Sequence, residues 1–178
     1  MVKLSGGSRT LVGGSREYSR REVEYNQLMR SGQYSSGYFS HKGGGYVLVE
    51  RSSMTHSNEE IEAARYMADK GYIVTLTDES NKGKDSKVKT PDGKVFDATF
   101  EQRTPDGKQN TPENIRSALR HGRDKRSDMV VIYQKHGKHS RQAVEQGIKM
   151  YEAQSKHRFQ QIIVVTQDGR IHRHKHNN

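Results

Sequence analysis

The amino-acid sequence predicts an α/β fold, a mixed central sheet flanked by helices, and three observations carry that expectation. Short β-rich runs at Tyr46–Glu50, Met129–Tyr133 and Gln161–Thr166 alternate with segments whose apolar residues recur at helical spacing. The last two runs are dominated by apolar residues, as in strands covered on both faces. Helix starts are marked by Ser57 with Glu60 three residues on, a capping box, and by Thr111-Pro112-Glu113, with proline in the first turn.

Taken in order, residues 1–45 read as a flexible, basic arm, because Gly6-Gly7-Ser8, Gly13-Gly14-Ser15, Ser31-Gly32 and Gly43-Gly44-Gly45 surround one short candidate helix near Arg20–Arg30. The folded domain is expected over 46–178. Tyr46–Glu50 is its first strand, and Ile61, Ala64, Met67 and Ala68 form the apolar stripe of a helix that ends at Lys70-Gly71. Tyr72–Leu76 is the second strand and Asp78–Lys89 a charged loop. Val95–Arg103 alternates polar residues with Phe96, Ala98 and Phe100, which predicts one strand with a buried aromatic face. Thr-Pro-Asp-Gly-Lys occurs at 90–94 and at 104–108, and its proline and glycine suit tight turns. Ile115, Ala118 and Leu119 place a helix from Thr111 to about His121, and Ala143, Val144, Ile148 and Tyr151 place another over Ser140–Gln154. Gln167-Asp168-Gly169-Arg170 turns the chain back into an edge strand, Ile171–His174.

Composition bounds the function. Leu, Ile, Val and Phe make up 31 of 178 residues and the formal net charge is +10, so the core is thin and the surface cationic. The absence of cysteine excludes disulfides, thiolate metal sites and a cysteine nucleophile. The longest aliphatic run, Ile162–Val165, is far too short to span a bilayer, and the first forty residues lack a secretory apolar stretch, so a cytoplasmic protein is expected unless another machine exports it. Charge is uneven: residues 1–102 carry 15 Lys and Arg against 14 Asp and Glu, residues 103–178 carry 16 against 7. A polyanion-facing surface follows, with nucleic acid the commonest partner and an acidic protein the alternative.

The carboxylates of the middle region are the strongest candidates for chemistry. Asp92 sits at a turn, and Glu101 and Arg103 share one face of the next strand. Two carboxylates there can hold a hard cation such as Mg2+ or Mn2+ through oxygen, with Arg103 stabilising negative charge on a phosphate. Glu60 could complete the site from its helix, although as the capping partner of Ser57 it needs no catalytic role. Asp97 is an alternative ligand to Asp92, or a solvent-facing strand residue. Arg116, Arg120, Arg123, Lys125 and Arg126 would contact an RNA backbone if they line the cleft, or simply cap a helix end. His172, His174 and His176 alternate along the last strand; an exposed edge or a phosphate contact suits them better than a metal. No phosphate-binding glycine loop or serine elbow occurs.

The pattern Pro91-Asp92, eight residues, then Glu101-x-Arg103 resembles the signature of the PD-(D/E)XK nuclease superfamily. The wider succession is Gly44-Gly45-Tyr46-Val47, Glu60-x-Glu62, Ala68–Tyr72, Thr90–Gly93, Asn114–Leu119 and Ser127–Val131. That order is similar to the C-terminal RNase domains of CdiA-type contact-dependent growth-inhibition toxins, over about residues 44–175. The resemblance implies a PD-(D/E)XK nuclease-like fold, metal at Asp92 and Glu101, assistance from Glu60, cleavage of RNA and foremost tRNA, DNA as an alternative substrate, a cognate immunity protein and delivery into a target cell's cytoplasm. Arg103 stands where the superfamily usually has lysine, and arginine stays protonated, so it can stabilise charge but not take a proton. A catalytically inactive nucleic-acid-binding protein and a cationic adaptor for an acidic protein are the competing expectations.

Overall fold

A computed structural model describes residues 10–52, 55–78, 90–108 and 110–177. Its described residues divide into two compact units, one running to Asp78 and including Gly93–Asp97, the other formed by residues 90–92 and those from Ala98 onward. Each is α/β, with helices and four strands that pair in mixed directions, as the sequence predicts.

The first unit contains α1 (Arg16–Arg30), β1 (Tyr34–Phe39), β2 (Tyr46–Glu50), α2 (Asn58–Ala68), β3 (Ile73–Leu76) and β4 (Gly93–Val95). β1 and β2 are antiparallel, β2 and β3 parallel across the α2 crossover, and β3 and β4 antiparallel. The arm expected over 1–45 is corrected in one respect: beside the short helix the sequence places near Arg20–Arg30, seen as α1, it contains β1, and both are built into the unit. Tyr18 and Tyr25 of α1 meet Phe39, and Tyr25 also meets Tyr46, at ring separations of 5.4–5.7 Å. Arg21, 9% exposed, donates to the Gly71 carbonyl at 2.5 Å and lies over the Phe96 ring. Aromatic packing and one buried guanidinium thus replace the missing aliphatic stripe. Residues 1–9 and most of the predicted loop Asp78–Lys89 lie outside the described residues.

A second correction concerns Val95–Arg103, which is not one strand. β4 ends at Val95, Phe96 and Asp97 form a turn, and β5 begins at Ala98. Phe96 takes φ +50°, unusual for a bulky residue. Its N–H donates to the Ile73 carbonyl at 2.8 Å and its ring lies 6.3 Å from that of Tyr72, contacts that hold the conformation.

The second unit contains β5 (Ala98–Arg103), α3 (Pro112–Asp124), β6 (Met129–Gln134), α4 (Arg141–Gln154), β7 (Gln161–Thr166) and β8 (Ile171–His174). β5, β6 and β7 are parallel neighbours, joined through α3 and α4, and β8 returns antiparallel to β7. Val130, Ile132, Ile162 and Val164 pack under Ile115, Ala118, Leu119, Val144, Ile148 and Tyr151 of the two helices. Two glycines set the spacing. A Cβ at Gly122 would fall 2.3 Å from Val130 Cγ2, and one at Gly147 would fall 2.5 Å from Ile115 Cβ. α3 therefore lies hard against β6, and α4 hard against α3.

The β8 segment meets its neighbours through imidazoles rather than aliphatic groups. His172 stacks on His139 at 4.1 Å, and His176 bonds Glu152 at 3.1 Å and lies 5.9 Å from the Phe159 ring. Burial lowers the pKa of His139, His174 and His176; His172 adds to the effect at His139 and His174, and Arg158 at His176, while Glu145 and Glu152 oppose it at His174 and His176. A depressed imidazole leaves stability intact above the unfolded value of about 6.5 and removes it as pH falls from there toward the folded value. Urea unfolding of the full chain is therefore expected to show a lower midpoint at pH 5 than at pH 7.5, with the difference shrinking in a His139→Gln/His174→Gln variant. An unchanged pH dependence in that variant would contradict this account of the β8 packing.

Candidate active site

β5 and α3 bring the chemistry of the second unit together. Glu101 and Arg103 are two residues apart on β5 and so project to one side of the sheet. Glu101 is 3% exposed, and its Oε1 lies 3.2 Å from Nε2 of His121 on α3. Arg103 reaches the same nitrogen from the solvent side, with Nη1 at 3.5 Å. α3 begins where Thr111 accepts a hydrogen bond from the Asn114 N–H and Pro112 occupies the first turn, and Ile115, Ala118, Leu119 and Gly122 turn inward. His121 is beside that buried stripe, on the flank facing β5.

Asp92 is placed by backbone bonds to β5. Its N–H donates to the Phe100 carbonyl at 3.1 Å, and its Oδ2 accepts the Gln102 N–H at 2.8 Å, so it brackets residue 101. Asp92 is also 3% exposed. Below it, Asp128 Oδ2 accepts from both the N–H and the hydroxyl of Thr99, and the Thr99 hydroxyl oxygen accepts the Asp128 N–H, locking β5 to the start of β6.

His121 is the common neighbour of these groups. Burial lowers its pKa, Arg103 and Lys125 lower it further, and Asp92 and Asp124 act in the opposite direction. Nε2 of His121 thus faces both the Glu101 carboxylate, at 3.2 Å, and the Arg103 guanidinium, at 3.5 Å. An Nε2 without a hydrogen accepts from Arg103, and one that carries a hydrogen is a donor toward Glu101, so the tautomer decides which neighbour it bonds.

Other residues singled out by sequence fall differently. Glu60 lies in the first unit, where its Oε2 accepts the Ser57 N–H at 3.1 Å and meets His56 Nδ1 at 2.8 Å; the other ring nitrogen of His56 is 2.8 Å from the Thr77 carbonyl. The capping box is fully formed, and Glu60 is engaged in it. Asp97 is exposed in the turn before β5, so it does not share a strand face with Glu101. Arg120 and Arg126 are exposed, while Arg116, Arg123 and Lys125 are half-buried on or just after α3. Arg123 pairs with Asp124 at 3.2 Å. His121 itself escapes sequence reading, because the spacing that brings it to Glu101 is spatial, set by a βα connection.

Among the described residues no three His, Asp or Glu side chains form a ready metal cage. The donor chemistry of Asp92 and Glu101 nevertheless fits a hard cation. Mg2+ typically takes one or two carboxylates and completes its octahedron with water and phosphate oxygens.

No family model and no curated protein matches the sequence. Among solved structures, a chain of the CdiA-CT/CdiI toxin and immunity complex from Burkholderia pseudomallei is similar in fold, with a TM-score of 0.53 and 19% sequence identity, covering 71% of this chain and 98% of that one. Among the described residues, no helix is long and apolar enough to cross a membrane.

The backbone role of Asp92 separates from its charge. Asp92→Ala leaves the Gln102 N–H without its acceptor and is expected to cost about 1–3 kcal/mol, whereas Asp92→Asn keeps an acceptor oxygen and is expected to cost less than half as much. Chemical denaturation of both variants checks this; equal losses would show that the Asp92 oxygen does not hold β5.

Proposed function

We propose that this chain is a toxin domain that hydrolyses RNA phosphodiester bonds, foremost those of tRNA, with Mg2+ or Mn2+ held by Asp92 and Glu101. One observation carries the reading: two nearly fully buried carboxylates, Asp92 and Glu101, share His121 as a neighbour while Arg103 projects from the same strand. The fold likeness to a chain of a toxin and immunity complex supports the toxin role, and the charge excess of residues 103–178 supports a polyanionic substrate.

In this reading the cation supplies Lewis-acid polarisation of a phosphate oxygen and an acidified water. The protein does the rest. Asp92 and Glu101 are fixed before substrate arrives, by the Gln102 N–H and by His121, so little reorganisation accompanies the reaction. Arg103 directs N–H groups at the phosphate and stabilises the negative charge that grows on its oxygens. It stays protonated throughout and takes no proton. Arg120 and Arg126, with Arg116, Arg123 and Lys125, grip the RNA backbone. A cytoplasmic target and an immunity protein that neutralises the producer's own copy follow from the same reading. Arginine in the lysine position favours a second reading, a nucleic-acid-binding protein without turnover.

Incubation with total tRNA and with plasmid DNA, in Mg2+ and in chelator, tests the proposal on a denaturing gel. Magnesium-dependent cuts in tRNA are expected, lost at least about a hundredfold in Glu101→Gln and Asp92→Asn, with RNA affinity retained. Intact RNA under every condition, with salt-sensitive binding, would replace the nuclease by the binding protein; cleavage surviving both substitutions would move the site elsewhere.

A further inference from the structure

The second unit contains a geometric device that ends at Glu101. In the parallel register of β5 and β6, Glu101 is paired with Val130. Gly122 of α3 lies directly on that same Val130, so close that a Cβ there would fall 2.3 Å from its Cγ2 and 3.3 Å from the Phe159 ring. The residue preceding this glycine is His121, and its Nε2 is 3.2 Å from Glu101 Oε1. Helix, strand and register therefore meet at one point. The absence of a side chain at 122 fixes the height of α3 above the sheet, the register fixes Glu101 beside the contact, and the ring is brought to the carboxylate.

The environment is rigid. Val130 is fully buried, Glu101 is 3% exposed, and both Ala118 and Leu119 of the same helix are in the core. At the helix end, Ser127 N–H donates to the Gly122 carbonyl at 3.1 Å, tying the glycine to the start of β6 as well. His121, by contrast, is 39% exposed at its side chain, so no core packing requires an imidazole there. A half-exposed ring that turns one nitrogen onto a buried carboxylate oxygen holds that oxygen in place.

We propose that His121 is a positioning residue for Glu101: its Nε2, 3.2 Å from one carboxylate oxygen, keeps Glu101 in place as a fixed ligand for a divalent cation, and Gly122 on Val130 is the spacer that sets this contact. The assignment rests on the reading of Asp92 and Glu101 as a cation site, and it adds the residue that orients the ligand. Partners of this kind fix ligand geometry, and their loss typically weakens metal binding by about 10–100-fold.

Mn2+ alone, titrated calorimetrically into the full chain without RNA, tests both layers. Wild type is expected to bind, Glu101→Gln to lose binding, and His121→Ala to bind about tenfold more weakly. His121→Gln, whose side-chain amide can offer an N–H at comparable reach, is expected to recover most of the loss. Gly122→Ala, which keeps the histidine but lifts the helix, is expected to resemble His121→Ala; the two position-121 variants alter a half-exposed side chain and carry the test should Gly122→Ala not fold. Mn2+ affinity in His121→Ala equal to wild type, or no recovery in His121→Gln, would overturn the positioning role while leaving the cation site standing. Failure of wild type to bind Mn2+, or binding unaffected by Glu101→Gln, would overturn the cation site and with it the role of His121.

Discussion

The close approach of α3 to β6, permitted by Gly122 over Val130, is the contact on which the second unit turns. A methyl group at that point could not be accommodated without moving the helix away from a fully buried valine, and interiors packed to crystal-like density do not absorb such shifts locally. The parallel register carries the consequence one strand further, because Val130 stands beside Glu101. The Thr99–Asp128 bonds pin the same pair of strands from below, and Asp92 pins β5 from the other side through the Gln102 N–H. A buried carboxylate is costly unless its oxygens are met by donors, so the Gln102 N–H is part of what lets Asp92 sit inside the protein at all.

Electrostatics and packing agree in the second unit. Its helices and strands provide the apolar core, while its surface carries the cationic excess of residues 103–178. The excess reaches the site: burial lowers the His121 pKa, and Arg103 and Lys125 lower it further. Arg103 keeps its charge in every state and is suited to a phosphate rather than to proton transfer.

How much of this was legible in the sequence depends on the kind of signal each element carries. β2, α2, β7 and β8 announce themselves, since Tyr46–Glu50 and Gln161–Thr166 are β-rich runs and Ser57 with Glu60 forms a capping box. α1 left a signal, the short candidate helix near Arg20–Arg30, but β1 was hidden because Tyr34–Phe39 alternates no aliphatic residues and owes its place to Tyr18, Tyr25 and Tyr46, which lie elsewhere in the chain. The turn at Phe96-Asp97 was hidden for a different reason. Two turn residues leave a period-two pattern in phase, and neither residue is a glycine or proline, so alternation ran straight through a break held by tertiary contacts of Phe96. In the candidate site, Asp92, Glu101 and Arg103 were visible from local spacing, and all three lie in the second unit. Asp97 was misplaced along with the strand, and Glu60 proved to be engaged with Ser57 and His56. His121 carried no motif at all, because its relation to Glu101 depends on helix height and strand register.

The central claim, that Asp92 and Glu101 form a cation site on β5, is tested most directly by anomalous diffraction from crystals of the full chain soaked in Mn2+. The account predicts an anomalous peak in contact with carboxylate oxygens of both residues, with Nε2 of His121 still beside Glu101. A peak bound elsewhere on the protein, or none at Mn2+ concentrations that saturate the solution binding, would contradict it.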